Sequence, residues 1–176
     1  MSAALPNRVD ALRLADRAER VEGLIDLGRA ERLAEVAAGR DAEARLSLRF
    51  SRDAGGVAGV QGEIIAELWP QCQRCLEPYA LRAEVRVELA LVESDAEAKR
   101  LMDSGRDSLV LSDGWIDLLE LVEDELLLAL PLIPMHPSAD QCSPEVRAVM
   151  TAPAERKDEE AEPGPFAALA ALKKTD

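Results

Sequence analysis

Three successive stretches between Ala44 and Val92 alternate apolar and polar residues with a period of two. In ARLSLRF, Ala44, Leu46, Leu48 and Phe50 oppose Arg45, Ser47 and Arg49. VQGEIIAELW (60–69) follows the turn signal Gly55–Gly56. In YALRAEVRVELALV (79–92), Tyr79, Leu81, Ala83, Val85, Val87, Leu89 and Leu91 oppose Arg82, Glu84, Arg86 and Glu88. Such alternation predicts strands with one buried and one solvated face. These suit an antiparallel meander, because the strands of a parallel sheet are covered on both sides. VEGLIDL (21–27) and SLVLSD (108–113) predict two further short strands.

Elsewhere the apolar spacing is helical. NRVDALRLADRAER (7–20) predicts a helix with Asn7 as N-cap, and RAERLAEVAAG (29–39) a second one, with Leu33, Val36 and Ala37 on one face and Gly39 as its stop. SDAEAKRLMDSG (94–105) predicts a third, entered through Ser94 or Asp95. The longest is WIDLLELVEDELLLALP (115–131), where Ile116, Leu119, Val122, Leu126 and Ala129–Leu130 recur at helical spacing and a proline ends the run. Its Glu120, Glu123 and Asp124 fall on the other side. The fold class read from this pattern is α+β: an antiparallel sheet meander packed with one long amphipathic helix and shorter helices. Residues 1–150 form this single domain. Residues 151–164, rich in Pro, Ala and acids, read as a disordered flexible linker. Residues 165–176 read as a short amphipathic helix.

Composition narrows the class. Of 176 residues, 48% are apolar and only 3% aromatic, so the core must be aliphatic. No apolar run approaches the roughly 20 residues that cross a bilayer, and the first residues lack a secretory pattern. A cytoplasmic protein is expected. The net charge is −13, from 21 basic and 34 acidic residues, and it is uneven. Residues 1–50 balance nine Arg against nine acids, whereas 101–150 carry two basic residues against ten acidic. Nucleic-acid affinity comes largely from Lys and Arg neutralising phosphates. Direct binding to RNA is therefore expected to be weak or indirect, and basic proteins are the favoured partners.

The chain has three cysteines and one histidine, in two proline-bounded loops: Cys72 and Cys75 in PQCQRCLEP, His136 and Cys142 in PMHPSADQC. An odd number of cysteines in a reducing compartment argues against a disulfide framework. Together the four residues make a complete Cys3His set, a donor combination found in structural zinc sites. A redox pair would need a thiol activated by a cation or a helix N-terminus. Arg74 is such a cation, but Leu76–Glu77–Pro78 blocks a helix directly after Cys75. Plain structural thiols in a turn and a protein-binding loop are the third and fourth readings. Zinc leads as a single reading, and the last two together outweigh it.

Glu120, Glu123 and Asp124 have the composition of a carboxylate cluster, but catalytic carboxylates need burial to drive their pKa values apart. On the polar face of an amphipathic helix they read as a solvated or partner-docking surface. Glu125 lies nearer the apolar side, where it would pair with a buried arginine. No GxGxxG, P-loop, Ser–His–Asp or HExxH pattern occurs. The terminal PFAALAALKK spaces apolar residues helically, and so short a helix must dock to be ordered. Either the domain or a partner's groove receives it, with Phe166, Leu169 and Leu172 as anchors.

CQRCLEP, the run IDLLELVEDELLLALPLIPMH followed by Cys142, and the terminal PFAALAALKK occur in this order. Together they resemble the YceD-type large ribosomal RNA subunit accumulation proteins of bacteria and plastids, most closely from Gln71 to His136 and at the last ten residues. The resemblance implies a part in accumulation of large-subunit ribosomal RNA, hence in ribosome assembly, and brings no catalytic residue. The expected protein is a non-enzymatic assembly factor acting through a ribosomal protein or an rRNA-processing protein. A zinc- or thiol-based regulatory module and an RNA-processing enzyme are the alternatives.

Overall fold

The computed structural model describes residues 5–37 and 43–151. The chain divides into two compact units after Ser143. In the first, strands β2 (Arg20–Asp26), β3 (Glu43–Arg52), β4 (Ala58–Leu68) and β5 (Leu81–Val92) form the predicted antiparallel meander. A fifth strand, β6 (Ser108–Val110), lies parallel to β5 after a crossover through the helix Asp95–Asp103. The remaining elements of this unit are β1 (Arg8–Asp10), α1 (Ala11–Asp16), α2 (Glu31–Ala37), α3 (the crossover helix), β7 (Trp115–Asp117) and α4 (Leu118–Ala129). The second unit, from Pro144, contributes α5 (Pro144–Thr151) to the described residues. Phe166, Leu169 and Leu172 lie outside them, as do Gly39 and the predicted linker beyond Thr151.

The alternation places its apolar set as expected. Leu46, Leu48 and Phe50 of β3, Val60, Ile64 and Leu68 of β4, and Val87 and Leu91 of β5 are buried in one aliphatic core. Leu48, Gly62 and Val87 lie in register across three strands. A Cβ at Gly62 would overlap the Ser47 carbonyl oxygen and press on the Leu48 Cα, so only glycine fits between these strands. The β3–β4 turn is held by Asp53, whose carboxylate accepts the N–H groups of Gly55 and Val57 at 2.9 Å each. Helix α3 is N-capped by Ser94, whose Oγ accepts the Glu97 N–H, and the Glu97 carboxylate accepts the Glu93 N–H.

Two predicted helices begin later than their periodicity suggests. Residues 8–10 and 115–117 pair with each other as a two-stranded antiparallel sheet, so neither segment is helical. The Asn7 carbonyl accepts the Leu118 N–H at 2.6 Å instead of capping a helix. Asp10 caps α1 and Asp117 caps α4. Leu118, Leu121, Val122 and Leu126 face the core, Leu119 is half-buried, and Ala129 is exposed.

Candidate metal centre

Cys72 and Cys75 sit on the hairpin that joins β4 to β5. Its two limbs are held together by the Cys72 N–H donating to the Glu77 carbonyl (2.9 Å) and the Tyr79 N–H donating to the Pro70 carbonyl (3.1 Å). The Leu76 N–H donates to the Cys72 carbonyl at 2.7 Å, and Leu76 takes a left-handed conformation (φ 61°) that closes the turn. This pinched turn points both thiols to one side.

The second loop leaves α4 at Leu130, whose extended backbone precedes Pro131. The Gln73 N–H donates to the Pro134 carbonyl at 2.8 Å and stitches the loops together. Ser138 then caps a short 3-10 turn, Ala139–Gln141, which delivers Cys142. The Tyr79 ring lies 5.1 Å from the His136 ring, centroid to centroid, and fixes the imidazole in place.

The four side chains converge. Their ligand atoms, one from each of Cys72, Cys75, His136 and Cys142, all lie within 4.8 Å of one another. His136 Nδ1 is 3.4 Å from Cys75 Sγ and 3.7 Å from Cys142 Sγ. A tetrahedron with Zn–S of about 2.3 Å and Zn–N of about 2.0 Å has S···N edges of roughly 3.5 Å and S···S edges of roughly 3.8 Å. The donor types and their spacing therefore fit a tetrahedral metal ion, with His136 ligating through Nδ1.

The electrostatics are those of a thiolate site. Burial pushes the Cys72 thiol up, but the N–H groups of His136, Arg74 and Cys75, together with the His136 side chain, bring its pKa down to about 5. Cys142 is pushed up by burial and by the neighbouring Cys75 and Cys72. Arg74 supplies the nearest cation, with its guanidinium 3.8 Å from Cys142 Sγ and 3.7 Å from Met135 Sδ. A divalent ion held by three thiolates would carry one net negative charge, which Arg74 is placed to offset.

The acids of α4 separate into different roles. Glu120 is exposed, and Asp124 pairs with Arg32 at 2.7 Å. Glu123 does not lie on a solvated face. It is buried, accepts from Arg32 at 2.6 Å, and accepts the Leu33 N–H at 3.0 Å, joining α2 to α4. The arginine expected beside Glu125 thus serves Glu123. Glu125 is instead pushed up by burial and by the charges of Asp124 and Asp107. Sequence reading missed Arg32 and the Tyr79 support of His136. Neither has a local signal, since each contact joins residues far apart in the chain.

A mostly antiparallel α+β domain whose two loops bring a Cys3His set together is the class these observations define. The chain matches the family model described as Large ribosomal RNA subunit accumulation protein YceD over residues 60–173, a span that contains all four candidate ligands. It is 35% identical over 171 residues, 96% of each chain, to the Large ribosomal RNA subunit accumulation protein YceD of Haemophilus influenzae. The chain belongs to the YceD family. No solved structure gives a significant match. Among the described residues, no helix is long and apolar enough to cross a membrane.

Proposed function

We propose that this protein supports accumulation of large-subunit ribosomal RNA as a non-enzymatic assembly factor of the cytoplasm, acting through a basic protein partner and carrying a structural zinc ion on Cys72, Cys75, His136 and Cys142. The observation that carries this reading is the family match, which extends over nearly the whole length of both chains. The metal supplies a cross-link between the two loops when bound. All four positions of a tetrahedron are filled by this chain's side chains, which is the pattern of structural rather than catalytic zinc. The net charge of −13 supports a protein partner over direct RNA contact.

The test is depletion of the protein in its host, with the ratio of large- to small-subunit ribosomal RNA measured and affinity capture performed in parallel. A lower ratio, restored by the wild-type chain, is expected, with basic proteins among the captured species. An unchanged ratio overturns the reading. The lowered Cys72 pKa also suits a thiol-based regulatory module. Metal analysis separates the two: a metal-free protein whose Cys72 is rapidly alkylated would favour the regulatory module.

A further inference from the structure

We infer that the cleft at the C-terminal end of α4 is a docking site for a cationic polypeptide segment that carries large aliphatic side chains, presented by a partner protein. This rests on the reading that the protein acts through a protein partner. The cleft has a volume of about 750 Å³, and its apolar lining comes from Val36, Leu127, Leu130, Pro131, Leu132 and Ile133. Among the lining residues Leu132 is fully exposed, and Ile133 (63%) and Val36 (50%) are exposed as well. Single exposed aliphatics are ordinary on a protein surface, but a contiguous group of them marks an interaction site.

The ledge is already shaped for binding. Pro131 and Pro134 restrict its backbone, and the Gln73 N–H holds the Pro134 carbonyl at 2.8 Å. Two residues further on, His136 belongs to the metal centre, so the ledge is fixed at both ends. A preformed surface loses less entropy on binding than a floppy one.

Charge selects the occupant. Glu35 is the charged residue of the lining, which contains no Lys or Arg among the described residues. Helix α4 has no basic residue in its last turn, so none of its own side chains offsets the negative end of its dipole beside the apolar lining. A nucleic acid brings the wrong sign, and a second copy of a chain with net charge −13 would oppose like charge to like. A segment alternating Lys or Arg with Leu or Ile satisfies both the apolar lining and the field.

The inference is tested by fluorescence anisotropy on the full, metal-loaded chain with two short labelled peptides, one alternating Lys and Leu and one alternating Lys and Ser. The Lys–Leu peptide is expected to bind, and the Lys–Ser peptide to bind roughly tenfold or more weakly. The paired substitution Leu132→Ser and Ile133→Ser should weaken the Lys–Leu peptide by a similar factor, with metal content and melting temperature unchanged. Glu35→Lys should weaken both peptides. Equal binding of the two peptides, or a Leu132→Ser, Ile133→Ser protein that binds as the wild type does, overturns the inference. Binding that tightens tenfold on Phe166→Ala would assign the cleft to the chain's own terminal segment and also overturn it. The same paired variant is then assayed for ribosomal RNA accumulation. Lost peptide binding with a normal RNA ratio supports the docking site and counts against the assembly function. Unchanged peptide binding sinks the docking site whatever the ratio.

Discussion

Glu123 is the residue whose role the structure changes most. Its helical position suggested solvent, yet it is buried and occupied by Arg32 and the Leu33 N–H. Periodicity misjudged it because the face it lies on is covered by α2, whose Arg32 and Leu33 lie far away in the chain. Burial pushes the Glu123 pKa up, but the Leu33 N–H and Arg32 outweigh burial and hold it below the usual carboxylate range. A depressed pKa means that stabilisation is fully present above the unfolded-state value and is lost as pH falls through the folded one. The Glu123→Gln protein should melt lower at neutral pH, by about 1–3 kcal/mol of stability. The gap to wild type should narrow below about pH 4, as paired thermal melts across that range would show. A gap that stays constant would mean that the carboxylate charge contributes nothing. At Gly62 the limit is steric. Gly62→Ala forces β3 and β4 apart at the Ser47 carbonyl and should cost about 1–3 kcal/mol, the usual scale of overpacking. Chemical denaturation would read the loss directly.

At the scale of elements, what was legible in the sequence was local. The strands β3, β4 and β5 follow from one-sided alternation that each carries within its own residues, and the two cysteine-bearing loops from their prolines and donors. Strands β1 and β7 were invisible because each exists only by pairing with the other across more than a hundred residues. The parallel β6 was legible as a strand, but nothing in its three residues announces its direction. The sequence could name the four candidate ligands but not the stitch from Gln73 to Pro134 that brings their loops into register. A bound metal is expected to stabilise this pair of loops by mass action, about 3–4 kcal/mol when free metal exceeds its Kd a few hundred-fold. For a chain of this size that corresponds to roughly 6–16 °C in melting temperature. Purified protein should carry one equivalent of zinc by elemental analysis, and both chelation and Cys72→Ser should lower the melt by that order. A metal-free protein with an unchanged melt under chelator would remove zinc from the account.

For the whole molecule, charge distribution decides what it can hold. Arginines of the sheet's solvated face sit among glutamates: Arg20 pairs with Glu22, Arg82 with Glu84, and Arg86 lies opposite Glu63 in the register. Isolated protein is expected to bind ribosomal RNA no better than ordinary non-specific affinity, about 10⁻⁴–10⁻⁶ M at physiological salt. A filter-binding titration at several salt concentrations checks this, and tight binding with a steep salt slope would assign the sheet face to RNA. The spread of the metal centre along the chain also bears on how the protein is made. Strands β2 to β4 have all their partners once Val92 is synthesised, whereas β5 still awaits β6, and Cys142 comes 50 residues later. At a synthesis rate of about 5–20 residues per second, Cys72 and Cys75 wait roughly 3–14 s for His136 and Cys142. During that interval a nascent chain presents a folded meander with two thiols of an incomplete site, so metal delivery and thiol protection are matters of translation timing as much as of affinity.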